Sequence, residues 1–476
     1  MKRWIALILA GLGTAAMPAR GEDLLELYRQ ALTSDPSIRE AEANRRAARE
    51  AKPQAISALL PNITGFAQRA ENDNEGTRLS FFRNNAGQVI QGTVDSQSDT
   101  TDELYNLQLR QSVFSWQNWV ALKRADRQVA QAEADFAAAQ QDLILRVAER
   151  YFDVLAALDN VNAQSAALEA ISRQLEQAEK RFEVGLIAIT DVQEAKAARD
   201  QAAAALIAAK RQLATAEELL REIIGNKPTT LAKPGPGLVL KAPEPADEQQ
   251  WVETALRQNL ALLSTRLAAE IARDNVRSAL GGHLPTLDLV ASRSSTASRG
   301  DSAFRDIGAP VSTTSPIDTD GDSTQIQLQL SVPIFAGGGT QSRVRQSEYQ
   351  WIAAKERLER VSRQTERLAR DAYLGVISEI SRVNALRQAL ESSQTALKAT
   401  EAGYEVGTRT AVDVLDARRA LVQAQTNYAR SRYDYILNVI RLRSAAGNLD
   451  VQALTGINAW LDEPVSIAPS AAAPPP

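Results

Sequence analysis

Two carboxylates lie one helical turn apart in GYEVGTRTAVDVLDA, Gly403 to Ala417. At their three-residue spacing Asp413 and Asp416 share a helix face, where like charges repel by about 0.2–0.5 kcal/mol. A second stretch, RFEVGLIAITDVQEA from Arg181 to Ala195, repeats the layout, with Asp191 following the same Val-Gly break. Helix capping accounts for part of this pattern. Thr190 with Gln193, and Thr410 with Asp413, have capping-box spacing, and acids in a first turn meet the positive end of the helix dipole. Capping leaves Asp416 unexplained, because it lies deeper in the helix. Arg419, three residues on, can pair with it at the surface for little energy. If several copies of the chain gather round an axis, the same acids become stacked carboxylate rings, which attract cations.

Other chemistry finds little material. There is no cysteine and a single histidine, His283, which excludes disulfides and thiolate sites and leaves no metal-ligand set. His283 sits at a helix-to-strand junction and reads as structural. No nucleophile is paired with a base and no phosphate loop is present, so no enzyme and no cofactor is expected. Gly337-Gly338-Gly339 lacks the spacing of a dinucleotide fingerprint and reads as a bend. A net charge of -4 on 476 residues implies no polyanionic partner and no nucleic acid.

Residues 1–21 read as a secretory signal peptide, with Lys2 and Arg3 before a short apolar run and Ala19-Arg20-Gly21 as the exit. Beyond it no apolar run approaches the roughly 20 residues of a transmembrane helix. Strands remain open as membrane elements, because barrels alternate apolar and polar residues.

The chain is written twice. Ala31-Leu32, Leu60-Pro61, Phe114, Gly185 and Asp191 recur as Ala255-Leu256, Leu284-Pro285, Phe335, Gly407 and Asp413 at a nearly constant offset. The expected organisation is a first repeat over 22–225, a Pro/Gly-rich linker over 226–247, a second repeat over 248–447 and a C-terminal segment over 448–476, its tail from Pro469 disordered.

Each repeat reads as helix, two strands, a very long helix, a break and a helix. The first helices are expected over about Asp23–Ser57 and Gln249–Leu280. Thr324–Val332, TQIQLQLSV, alternates with period two, as do Tyr105, Leu107 and Leu109 in the first copy. Ile63–Gln68 and Leu287–Ala291 are weaker strands. The links Ala70–Asp102 and Arg293–Ser323, rich in Asn, Asp, Ser and Thr, read as long solvated loops. Gln117–Phe182 contains neither Pro nor Gly, and Val147, Tyr151, Val154, Leu158 and Val161 keep coiled-coil spacing. Such a helix is about 100 Å long, and the two shorter helices of a repeat match it end to end.

A secreted chain with amphipathic strands and a long rod points to a pore, although the alternation alone fits a water-soluble sheet equally well. Two strand pairs cannot close a barrel, which takes about eight strands or more, and open edges are costly in lipid. Membrane-bound hairpins therefore require protomers to associate.

The paired stretches FEVGLIAITDVQ and YEVGTRTAVDVLDA, the strand exit LSVPIFAGGG (Leu330–Gly339) and the strand entry GHLPTLDL (Gly282–Leu289) closely resemble the TolC family of bacterial outer-membrane channel-tunnels. The resemblance covers nearly the whole mature chain. It implies a mixed α and β fold with internal duplication: an α-barrel of long coiled-coil helix pairs plus a transmembrane β-barrel completed by trimerisation, twelve-stranded in the homotrimer. Linker and C-terminal segment would form an equatorial belt. The implied function is a passive exit duct in outer-membrane lipid for drugs, small molecules or proteins. An inner-membrane ABC, RND or MFS transporter would supply the energy through a periplasmic adaptor (membrane fusion) protein.

By the same resemblance, Asp413 and Asp416 line the periplasmic aperture. Thr190, Asp191, Tyr404 and Arg409, with Gln174 and Glu401 as a further pair, form links that hold it shut. Gly185 and Gly407 are expected at positive φ in helix C-terminal turns. The tips Val184-Gly185-Leu186 and Val406-Gly407-Thr408 resemble adaptor-docking turns. The rival reading is a periplasmic coiled-coil adaptor or scaffold without a pore.

Overall fold

A computed structural model describes residues 22–83, 86–235, 237–306 and 312–467. The expected signal peptide and the C-terminal tail lie outside the described residues. The chain divides into two compact units, one of Met1–Arg46, Gln131–Arg266 and Arg357–Pro476, the other of Ala47–Ala130 and Leu267–Glu356.

The expected first helix is divided into α1 (Leu24–Ser34), α2 (Pro36–Arg49) and α3 (Ala51–Ser57). Pro36 lacks an N–H and keeps Asp35 out of the helical region, at φ -67 and ψ 120. The counterpart in the second repeat is likewise split into α6 (Glu248–Gln258) and α7 (Leu260–Leu280). There Asn259, extended at ψ 122, turns its side chain onto the N–H of Leu262 at 3.0 Å and caps the new helix.

The second unit holds a four-stranded antiparallel sheet in the order β1 (Asn62–Arg83), β2 (Val89–Phe114), β4 (Thr286–Asp306), β5 (Ser312–Ser331). The stretches expected as long solvated loops are strand over most of their described length: Ala70 pairs with Asp102 and Arg293 with Thr324, and the ladders continue outward to Arg83 and Arg305. Their polar side chains bond across the ladder instead of competing with it. Asn72 and Ser298 both donate to Asp102, each at 2.6 Å, and Thr77 donates to Asp95 at 2.8 Å. Polar composition here marks wet faces, not an unpaired backbone. Ile326, Leu328 and Leu330 on β5 lie open on one face.

Helix α4 (Trp116–Glu183) is 68 residues long and α8 (Gly339–Glu405) 67. Each is followed by a 36-residue helix, α5 (Ile189–Ile224) or α9 (Ala411–Ala446). No helix among the described residues is long and apolar enough to cross a membrane. In the first unit the α4 seam Val147, Tyr151 and Val154 is fully buried with Leu24, Leu27, Leu220 and Ile436. The linker strand β3 (Thr230–Pro234) pairs antiparallel with β6 (Leu461–Ser466), which follows α10 (Val451–Asn458). Tyr151 fastens β3 to α4 by accepting from the N–H of Ala232 at 2.9 Å and donating to its carbonyl.

Candidate functional site: the paired helix turns

The α4/α5 and α8/α9 turns close in the same way. Gly185 has φ 75 and Gly407 φ 79, a region where a side chain would strain the backbone. In the first turn Gly185 N donates to Phe182 O at 2.8 Å and Leu186 N to Arg181 O at 2.9 Å. In the second, Gly407 N donates to Tyr404 O at 3.2 Å and Thr408 N to Gly403 O at 2.8 Å. These are the paired bonds of a helix terminated by a left-handed residue. Val184, Leu186 and Val406 stand exposed at the tips.

The two copies differ at the next helix start. Thr410 caps α9 in a complete capping box: Asp413 N donates to Thr410 Oγ1 at 3.2 Å, and Thr410 N donates to Asp413 Oδ2 at 2.8 Å. The bond from Thr410 N, and after it the one that Thr410 Oγ1 donates to the same oxygen at 3.0 Å, hold the Asp413 carboxyl below the usual carboxylate range, with Arg409 adding a weaker push in the same direction. The expected box at Thr190 and Gln193 does not form. Helix α5 begins at Ile189 with Ala188 in the cap position, which places Thr190 inside the first turn with Asp191. Two residues too far along the chain, Thr190 cannot turn back onto the free N–H groups.

Asp416 pairs with Arg419, Arg419 Nη1 lying 3.0 Å from Asp416 Oδ1. The same guanidinium donates through Nη2 to Gln201 Oε1 on α5 at 2.9 Å. None of the expected closing links forms within one chain among the described residues. Tyr404 meets Arg181, whose guanidinium carbon lies 5.4 Å from the ring centroid. Glu401 accepts from Arg418 instead of Gln174, and both polar atoms of the Gln174 amide are buried without a partner. Glu401 stands six residues before Gly407 and Arg418 eleven after it, so the long arginine side chain reaches back along the antiparallel pair to meet the carboxylate. Arg181 was missed although it and Tyr404 stand four and three residues before their two glycines.

Above the turns, α4, α5 and α9 bound a cleft of about 1140 Å³ with an alanine-rich floor on α5 and Arg418, Arg419 and Arg430 along α9.

The model of the family described as outer membrane efflux protein matches residues 27–226 and 251–448, once in each half. The chain belongs to the outer membrane efflux protein family. It is 36% identical over 471 residues to outer membrane protein TolC of Escherichia coli (strain K12), covering 98% of this chain and 91% of that protein. It is 27% identical to the alkaline protease secretion protein AprF of Pseudomonas aeruginosa, over 90% of this chain and 85% of that one. Among solved structures, outer membrane protein VceC of Vibrio cholerae superposes with a TM-score of 0.69 at 20% identity, over 90% of this chain and 97% of that chain. The Campylobacter jejuni outer membrane channel CmeC gives 0.70 at 17% identity, over 93% and 90%. These two share the fold. This member of the family is an outer-membrane exit duct for efflux.

Proposed function

We propose that three copies of the chain close one duct, in which the sheet of each supplies a third of a membrane barrel and the helix pairs supply a periplasmic wall. The observation that carries this reading is the four-stranded sheet itself. Its outer strands β1 and β5 each pair on one side alone among the described residues, and its apolar face is open. Unpaired strand edges have no place in lipid, and four strands are too few to close on themselves. Three copies remove every edge.

In this reading residues 1–21 are the exported signal, 22–225 and 248–447 are the two repeats, and 226–247 with 448–476 make an equatorial belt. The belt reading is supported by the pairing of β3 with β6. Asp413 and Asp416 line the periplasmic aperture as carboxylate rings. Thr190, Asp191, Tyr404 and Arg409, with Gln174 and Glu401 as a further pair, link adjoining helix pairs. The tips at Val184–Leu186 and Val406–Thr408 offer their exposed apolar residues to a periplasmic adaptor. An inner-membrane ABC, RND or MFS transporter then delivers the cargo, and the duct is passive.

The test is extraction and recording. Purified protein should run as a heat-sensitive trimer in detergent and conduct in planar bilayers, with cation preference lost in Asp413→Asn/Asp416→Asn. A monomer soluble without detergent and silent in bilayers would favour a periplasmic scaffold.

A further inference from the structure

The two aspartates of the proposed aperture are not equivalent. Asp413 is held by uncharged donors, Thr410 N at 2.8 Å and Thr410 Oγ1 at 3.0 Å. Arg409 adds only a weaker attraction and makes no ion pair with it among the described residues, so the charge of Asp413 is less compensated than that of Asp416. Asp416 is paired at 3.0 Å with Arg419, and Arg419 is held on its other side by Gln201 at 2.9 Å. That guanidinium is fixed between two helices, α9 and α5, so its charge stays beside the carboxylate. The neighbouring Arg418 brings no free charge, because it is occupied by Glu401.

We propose that Arg419 determines the charge selectivity of the entrance by neutralising the Asp416 ring, so that only the Asp413 ring acts as a cation filter. The inference rests on the reading that these acids line the aperture. An exposed ion pair of this kind contributes little to stability. Its consequence is electrostatic: a ring of ion pairs has no net charge, whereas a second bare carboxylate ring would deepen the cation well and repel anions. A solute entering past the tips meets one charged ring and then a compensated one. Such an entrance admits anionic and zwitterionic solutes that two bare rings would exclude. Gln201 is a positioning residue, keeping the guanidinium at Asp416.

Reversal potentials in a potassium chloride gradient test this on the purified, bilayer-inserted protein. Arg419→Gln should shift the potential toward that of potassium, while Arg419→Lys, which restores the charge, should stay near the unsubstituted value. Asp413→Asn should shift it toward chloride. If Asp413→Asn shifts the potential and Arg419→Gln does not, the aperture stands and the role of Arg419 is overturned. If neither variant shifts it, the acids do not line the aperture and both readings fall. Detergent-resistant trimer in each variant confirms that the comparison is made on assembled protein.

Discussion

Arg181 lays its guanidinium over the ring of Tyr404, 5.4 Å from the ring centroid. The contact joins the last turn of α4 to the last turn of α8, so it ties one helix pair to the other beside the two glycine turns. An exposed contact of this type contributes about 0.5–1 kcal/mol, small for the fold but comparable with what holds a hinged tip in place. Arg181→Ala and Tyr404→Leu should both raise single-channel conductance. Tyr404→Phe keeps the ring and should raise it less, unless combined with Arg409→Ser, which also removes the proposed cross-chain link. Wild-type conductance in Arg181→Ala would show that the contact does not restrain the entrance.

The capping box makes a statement about pH. The carboxyl of Asp413 titrates below its ordinary value because Thr410 hydrogen-bonds the ionised form. A group with a depressed folded value contributes its stability above the unfolded value and loses it as pH falls through the folded one. Cation preference in an Asp416→Asn background should therefore survive acidification to about 3.9, the ordinary aspartate value, and vanish only below it. Thr410→Ala removes one of the two donors and should move that midpoint upward. Equal midpoints with and without the Thr410 hydroxyl would refute the assignment.

What could be read in advance follows the range of the forces involved. The glycine turns were legible because positive φ is a local demand, met at Gly185 and Gly407. The long helices were legible because Gln117–Phe182 holds neither Pro nor Gly and the stretch from about Gln341 to Tyr404 holds no Pro, so neither run carries a residue that stops a helix. The break at Asp35 could be read from Pro36; its twin at Asn259 could not, since an asparagine either continues a helix or caps a new one. The outer halves of β1, β2, β4 and β5 were hidden for a different reason. Their Ser, Thr, Asp and Asn residues prefer turns when alone and become strand residues only when a partner strand supplies the ladder, as Asp102 does for Asn72. Site residues on one helix, such as Asp416 and Arg419, were visible by spacing. Gln201 was not, because its position against Arg419 depends on how α5 packs on α9.

Those outer strands carry a conflict of their own. Asp73, Asp99 and Asp301 stand directly opposite one another in one row across β1, β2 and β4. Like charges so placed are destabilising by roughly 0.2–1 kcal/mol per pair. Asp99→Asn removes the central charge from both pairs at once. Amide exchange at Asn72–Asn74 and Thr100 should slow in the variant, with no change at the inner rows near Leu107. Faster exchange at those amides would mean that the row is held together by something other than the ladder.

The attachment of the linker to the long helix depends on one hydroxyl. Tyr151 is fully buried, and burial pushes its hydroxyl well above the ordinary tyrosine value, so it stays protonated and can donate. It bonds both backbone groups of Ala232, and its ring meets Phe152 edge-on at 5.3 Å. Phe152 in turn stacks on Tyr433 at 5.6 Å. Tyr151→Phe keeps the ring packing and strands the N–H and C=O of Ala232 away from water. An unsatisfied buried group costs about 1–3 kcal/mol, more than the hydroxyl contributes by contact alone. Thermal unfolding of detergent-solubilised Tyr151→Phe should begin at lower temperature, and the linker should become the first site of proteolysis. Phe152→Ala, which leaves both Ala232 bonds intact but opens a cavity, should lower the unfolding temperature further, by about 3–5 kcal/mol of stability, without exposing the linker early. That contrast separates loss of anchoring from loss of packing, and linker cleavage equally early in both variants would show that Tyr151 acts only by filling space.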